Sequence, residues 1–220
     1  MQTTEPPIQT EPGEGAPKGR ARGRPRAFDR DAALSQAMRL FWQKGFDATS
    51  IADLTAAMGI ASPSLYAAFG SKEALYAEAL DHYCTTYGAW GWKNFFAATT
   101  AREAVRAWLM DSAAFFTGSV VDVPLGCMVT LSSVSTAAHQ ELCELTRMAR
   151  TAPRAVVMTR LEQGVAQGEI PVSVDLDALA RFVHTVQNGM SLQARDGASR
   201  AELEAVTEVA MRSWDGLVES

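Results

Sequence analysis

Between Asp29 and Gly70 the chain stops and restarts its helices at such short intervals that only short rods folded against one another can result. Gly45, Gly59 and Gly70 each follow an apolar helical stripe, and Ser50, Ser62 and Ser71 each stand before the next one. Leu34, Ala37, Met38, Phe41 and Trp42 recur at three and four residues and form one apolar face. Ser50 with Asp53 three residues on has the form of a capping box, its acidic member suited to a helix N-terminus, and Leu54 and Met58 continue the inner face. Ser62 is read as the cap of a third helix with Pro63 at the first helical position, where a missing N–H costs nothing; Leu65 and Phe69 anchor it. A fourth helix begins at Ser71. Two short helices joined at Gly59-Ile60-Ala61 and braced by a preceding amphipathic helix make a helix-turn-helix, with Gly59 tolerating the positive φ of a tight turn. The helix pattern alone also fits an ordinary three-helix corner of a larger bundle.

The charge distribution separates these readings. From Lys18 to Lys72 there are 9 basic and 4 acidic residues, whereas the other residues carry 11 basic against 21 acidic, so a basic module sits on an acidic body. Lys18, Arg20, Arg22, Arg24 and Arg26 alternate with Gly, Ala and Pro just before the first helix, a composition suited to following phosphates or entering a minor groove. Taken alone, the same run reads as a solvated charge cluster. Residues 1–17 contain four prolines and few bulky apolar side chains and are expected to be disordered.

Gly23-Arg24-Pro25-Arg26, Ala33 to Phe46, Thr49-Ser50-Ile51, Ile60 to Tyr66 and Phe69 to Leu75 closely resemble the DNA-binding domain of TetR/AcrR transcriptional regulators. The resemblance implies an all-α chain with three parts: a tail and basic arm over residues 1–23, a helix-turn-helix domain over 24–83, and a helical-bundle effector-binding and dimerisation domain over 84–220. It places the third helix in the major groove, with Ser62, Ser64, Tyr66 and Ala67 near DNA. Serine hydroxyls can face a base or phosphate, and Ala67 can meet a thymine methyl. Tyr66 and Lys72 resemble the family's phosphate anchors, with Thr49 and Ser50 as further phosphate contacts, and Arg24 and Arg26 of the arm meet DNA at phosphates or in a minor groove. The third helix carries no Arg, Lys, Asn or Gln, so direct base discrimination per half-site is expected to be modest, with DNA shape and a second half-site adding to it. Gly164 to Pro171 and the segment from Asp175 to Arg195 resemble the family's C-terminal dimerising part. The partners implied are double-stranded operator DNA, a small-molecule effector and a second copy of the chain.

The remaining sequence is less specific. Trp90, Trp92, Phe95, Phe96, Trp108, Phe115 and Phe116 concentrate aromatic surface that either fills a core or lines a cavity. In the cavity reading Trp108, Phe115 and Met128 form its apolar wall, and His139, His184, Gln187 and Asn188 orient the ligand. Leu176, Leu179, Val183, Val186 and Met190 recur at helical spacing, as nearly do Leu203, Val206, Ala210, Trp214 and Leu217. A subunit seam built on Leu179, Val183, Val186, Met190, Val206, Ala210 and Trp214 is expected, although a monomer core gives the same pattern. Three scattered cysteines without a CxxC pair suggest a reducing cytoplasm and no zinc ribbon, and His139 and Cys143, four apart, are too few for a metal site. No cofactor, membrane span, phosphate loop, nucleophile elbow or paired-carboxylate site is indicated. The rival reading is a helical enzyme or small-molecule carrier whose basic arm is incidental.

Overall fold

The computed structural model describes residues 29–132, 134 and 139–218; the expectations for the N-terminal tail, Arg24 and Arg26 lie outside them. Among the described residues there are nine helices and no strand: α1 (Arg30–Lys44), α2 (Ile51–Met58), α3 (Ser62–Phe69), α4 (Lys72–Ala97), α5 (Ala101–Phe116), α6 (Met128–Leu131), α7 (Gln140–Ala166), α8 (Leu176–Arg195) and α9 (Arg200–Val218).

The head, α1 to α3, is built from local signals. The Asp29 carboxylate accepts from the Ala32 N–H at 3.0 Å and starts α1, which buries Ala33, Leu34, Ala37, Met38, Phe41 and Trp42. Ser50 and Asp53 form the reciprocal capping box of α2, and Gly59 ends that helix in the left-handed conformation at φ 67°. The start of α3 departs from expectation. Ala61 is the N-cap and lends no side chain, because its carbonyl already accepts from the Ser64 and Leu65 N–H groups; the helix begins one residue early. Pro63 falls one position later than expected, within the turn whose N–H groups have no helical partner.

The 26 residues of α4 span about 39 Å at 1.5 Å per residue and run from the head into the body. The boundary expected between residues 83 and 84 falls inside this helix, and one apolar core continues across it from Phe41 and Tyr76 to Phe95 and Trp108. Within the body, α5 is buried on most of its circumference and packs against α4, α8 and α9. Gly164 lets the end of α7 approach it: a Cβ there would lie 3.0 Å from Ala101 Cβ and from Ile170 Cδ1. The turn that follows aims Glu169 at the start of α5, where its carboxylate accepts from the Ala101 N–H at 2.6 Å.

The two C-terminal helices correct the expected seam. Leu179, Val183 and Met190 of α8 and Ala210 and Trp214 of α9 are buried inside the protomer, between 1% and 6% exposed, and have almost no surface left for a partner. The recurrence at three and four residues marks the face toward α5. Val186 and Val206 lie at its edge, half-buried, and the outward surface carries half-buried Phe182 with exposed Leu192, Val209 and Leu217.

Candidate nucleic-acid interface and internal cavity

Burial of Leu65 and Phe69 fixes the rotation of α3, so Ser62, Pro63, Ser64, Tyr66 and Ala67 all face outward. Tyr66 is 48% exposed, so its ring stands on the outward face and does not fill the core. Lys72, the first residue of α4, holds its ammonium 4.2 Å from the centroid of Phe46, leaving it partly exposed beside the α3 face. Arg30 braces the end of α3: it stacks on Phe69 at 4.4 Å, donates to the Ala68 carbonyl and pairs with Glu78 of α4.

Thr49 is a correction. It is 1% exposed and its hydroxyl donates to the Gly45 carbonyl at 2.6 Å, closing the turn between α1 and α2, so it is not available to a phosphate. Ser50 is exposed, with its hydroxyl shared between the Asp53 N–H and carboxylate. The Ser50 backbone N–H, its hydroxyl and Lys44, in that order, hold the Asp53 carboxyl down at about 2.

A cavity of about 280 Å³ opens between α4, α5, α7 and α8. Trp108, Phe115, His184, Gln187 and Asn188 all line it, as expected from sequence. Two other expected members do not. Met128 is 1% exposed and packs in the core, because α6 turns its apolar side inward. His139 stands at the start of α7 against the head, its ring 4.9 Å from Phe46 and its Nδ1 3.6 Å from Glu73.

Trp92 and Phe116 of the aromatic cluster line it too, with Cys127, and further wall residues that the sequence did not single out include Tyr83, Tyr87, Gly88 and Gly91 from α4, Asp111 from α5, and Arg150 with Pro153 from α7. The overlooked signals are Pro153 inside a long helical pattern and Gly88 and Gly91 three apart in another, positions that remove a hydrogen-bond donor or a side chain. Asp111 accepts from the Asn94 amide at 3.0 Å, while burial raises its carboxyl above the usual range. Arg150 donates to the Ser132 carbonyl at 2.7 Å and to that of Val129. Burial lowers His184, opposed by a hydrogen bond to the Arg150 backbone, and the Asn188 amide lies 3.4 Å from its Nε2. A neutral imidazole satisfies both contacts, with Nε2 accepting.

Cavity and head share an aromatic contact. Trp42 of α1 stacks on Phe115 at 5.9 Å and meets Tyr83 and Tyr87 edge-on at 4.8 and 5.8 Å, and all three partners line the cavity. The Tyr83 hydroxyl donates to Cys127 Sγ at 3.3 Å. Further ties cross from head to body: Arg39 to the Asp122 carbonyl and carboxylate, Arg195 to the Gln43 carbonyl, and Tyr76 to Ser132. No group of three or more His, Cys, Asp or Glu able to hold a metal occurs among the described residues, nor does a helix long and apolar enough to cross a membrane.

The head matches the family model for bacterial regulatory proteins of the tetR family over residues 33–79. The HTH-type transcriptional repressor ComR of Escherichia coli (strain K12) is 36% identical over 201 residues, covering 90% of this chain and 95% of that protein. The HTH-type transcriptional repressor BdcR of the same organism is 52% identical over 69 residues, 31% of this chain and 35% of its own length. Among solved structures, a cysteine mutant of the TetR family transcriptional regulator CifR, complexed with 26 bp double-strand operator DNA, superposes with a TM-score of 0.81 at 41% identity. That match covers 87% of this chain and all of the other. With a full-length relative at this identity and a helix-turn-helix head of this geometry, the chain belongs to the TetR family of bacterial regulatory proteins.

Proposed function

We propose that the protein is a dimeric transcriptional repressor that binds operator DNA through α3 and is released by a small molecule in the cavity between α4, α5, α7 and α8. The outward face of α3 carries the reading: Ser62, Ser64, Tyr66 and Ala67 are presented together on a helix whose other side is fully occupied by Leu65 and Phe69. Relatives named as repressors, and the operator complex of CifR, support DNA as the partner and regulation rather than catalysis as the activity. In this reading Lys72, Tyr66, Ser50, Arg24 and Arg26 meet phosphates, and Ser64 and Ala67 meet base edges.

Two heads must be held a helical repeat apart, about 34–36 Å or a multiple of it, to engage two half-sites. The outer surface of α8 and α9, with Phe182, Val186, Leu192, Val206, Val209 and Leu217, is the seam that does this. Release requires the effector to bind the DNA-incompetent arrangement better, and a tenfold loss of operator affinity needs only about 1.4 kcal/mol of coupling. Trp42 is placed to carry it, since a ligand that moves Tyr87 or Phe115 moves a ring belonging to α1.

The test is footprinting and fluorescence anisotropy on the DNA upstream of the neighbouring genes. Saturable, sequence-selective binding whose affinity falls steeply with salt is expected, with a flatter salt slope after deletion of residues 1–26. Binding that does not discriminate between sequences overturns the reading.

A further inference from the structure

The cavity wall is unusually specific about shape. Trp92 and Trp108 stack on one another, 5.0 Å apart at 11°, so no ligand ring enters between them and the pair acts as one flat block in the wall, to which Tyr87 and Phe115 add two more rings. Gly88 and Gly91 lie three apart on α4, with nothing within 4 Å of where a Cβ would stand, which leaves a stretch of wall without side chains. Flat apolar faces beside a bare stretch of helix accept a plate better than a branched chain, because ring faces pair best in offset-stacked or edge-to-face contact. At about 280 Å³ the space lies just below the ~300–1,000 Å³ of sites for drug-sized ligands, which limits the occupant to one or two fused rings.

The polar groups decide the rest. Gln187 lines the cavity at 8% exposed, and its carboxamide has no hydrogen-bond partner among the described residues, whereas Asn188 beside it is taken by Thr130. The amide opens onto the cavity, so a ligand that fills the space and displaces water from it must supply a group that donates to it or accepts from it. Formal charge is poorly served. Asp111 is already held by Asn94, Arg150 already donates to two main-chain carbonyls, and burial raises the Asp111 carboxyl and lowers the His184 imidazole from their ordinary values, which disfavours the charged form of each.

We propose that the cavity takes a flat, uncharged aromatic molecule of one or two fused rings bearing a hydroxyl or similar group that hydrogen-bonds to Gln187. This rests on the reading of the cavity as the effector site, and it makes Gln187 the residue that determines specificity.

The experiment uses the full chain and 1-naphthol as probe, followed by quenching of tryptophan fluorescence, with operator binding measured in parallel without probe. Saturable 1-naphthol binding is expected, with decahydro-1-naphthol, 1-naphthoate and 1-naphthylmethylammonium each at least about tenfold weaker. Gln187→Leu should weaken 1-naphthol about tenfold, as expected for one neutral hydrogen bond lost at a buried site. Gln187→Met, closer in shape, should do the same and guards against misfolding of the first variant; circular dichroism checks both. Equal binding of the saturated analogue removes the aromatic requirement. Tighter binding of 1-naphthoate makes Arg150 the recognition group, and no saturable 1-naphthol binding removes the proposal altogether. If the probe fails while operator binding persists, only this inference falls. Absence of operator binding overturns the repressor reading and leaves the probe result to stand by itself.

Discussion

The head and the body reach their folds by different routes. In the head the boundaries are set locally: Asp29, the Ser50 and Asp53 box and Gly59 act over three or four residues, as does Ser71 where α4 leaves the head, and the side chains between them fill a small core. In the body the decisive contacts join residues far apart in sequence, such as Glu169 with Ala101, Thr130 with Asn188 and Arg102 with Asp215. The head buries Leu54, Leu65 and Phe41 in its core, while the body holds a cavity open between its helices. A reading surface must be rigid to discriminate, and a ligand site must leave room. Locally coded helices supply the first, and side chains withheld at Gly88 and Gly91, together with the N–H withheld at Pro153, supply the second.

Large-to-small substitution in the core of the head should have the largest effect. Leu65→Ala, at a side chain with 0% exposure, should lower stability by about 2–5 kcal/mol, measured by urea unfolding, and loosen α3 first. A loss well under 1 kcal/mol would show that the head is not tightly packed. In the body, small-to-large substitution at the close approach comes next. Gly164→Ala puts a methyl 3.0 Å from Ala101 and Ile170 and should cost about 1–3 kcal/mol in the same assay. Gly88→Ala reverses the sign. With open space around its Cβ and a helical backbone, it should stabilise by about 0.4–1 kcal/mol, and a loss would mean that the wall there is already full.

The smallest expected effect separates the two regions by pH. His184 in the body titrates below its ordinary 6.5, so the unfolded chain takes up its proton first and stability falls as pH drops through 6.5. Asp53 in the head, held at about 2 against 3.8, gives stability that is complete above 3.8 and lost only below it. Between pH 7 and 5 the thermal midpoint should therefore fall with a slope that His184→Asn flattens and Asp53→Asn leaves unchanged. An equal slope in the His184 variant would contradict the assignment.

The same contrast governs what the sequence reveals. Capping boxes, left-handed glycines and the α3 surface are legible because their causes lie within one helical turn. Two local readings still failed for want of a hydrogen-bond partner that the sequence does not show: Thr49 turns back onto Gly45, and Ala61 rather than Ser62 starts α3. On α8 and α9, spacing finds a buried face but is silent on what buries it. Leu179, Val183, Met190, Ala210 and Trp214 therefore read equally well as seam or core until α5 is placed against them. The cavity was partly visible through its aromatics and through His184, Gln187 and Asn188. His139 shows the limit, since its neighbours are Phe46 of the head and Glu73 in the first turn of α4, where that helix leaves the head.

The central claim is that the cavity and the α3 surface are energetically linked, and it can be measured without any ligand. Gly91→Phe places a ring where the structure shows open space, on the helix that runs into the head, and so imitates an occupied cavity. Operator affinity of the folded dimeric variant, read by fluorescence anisotropy at fixed salt, should fall at least about tenfold, the loss that about 1.4 kcal/mol of coupling produces. An unchanged or higher affinity in a variant whose circular dichroism and sedimentation match the parent protein would contradict the account.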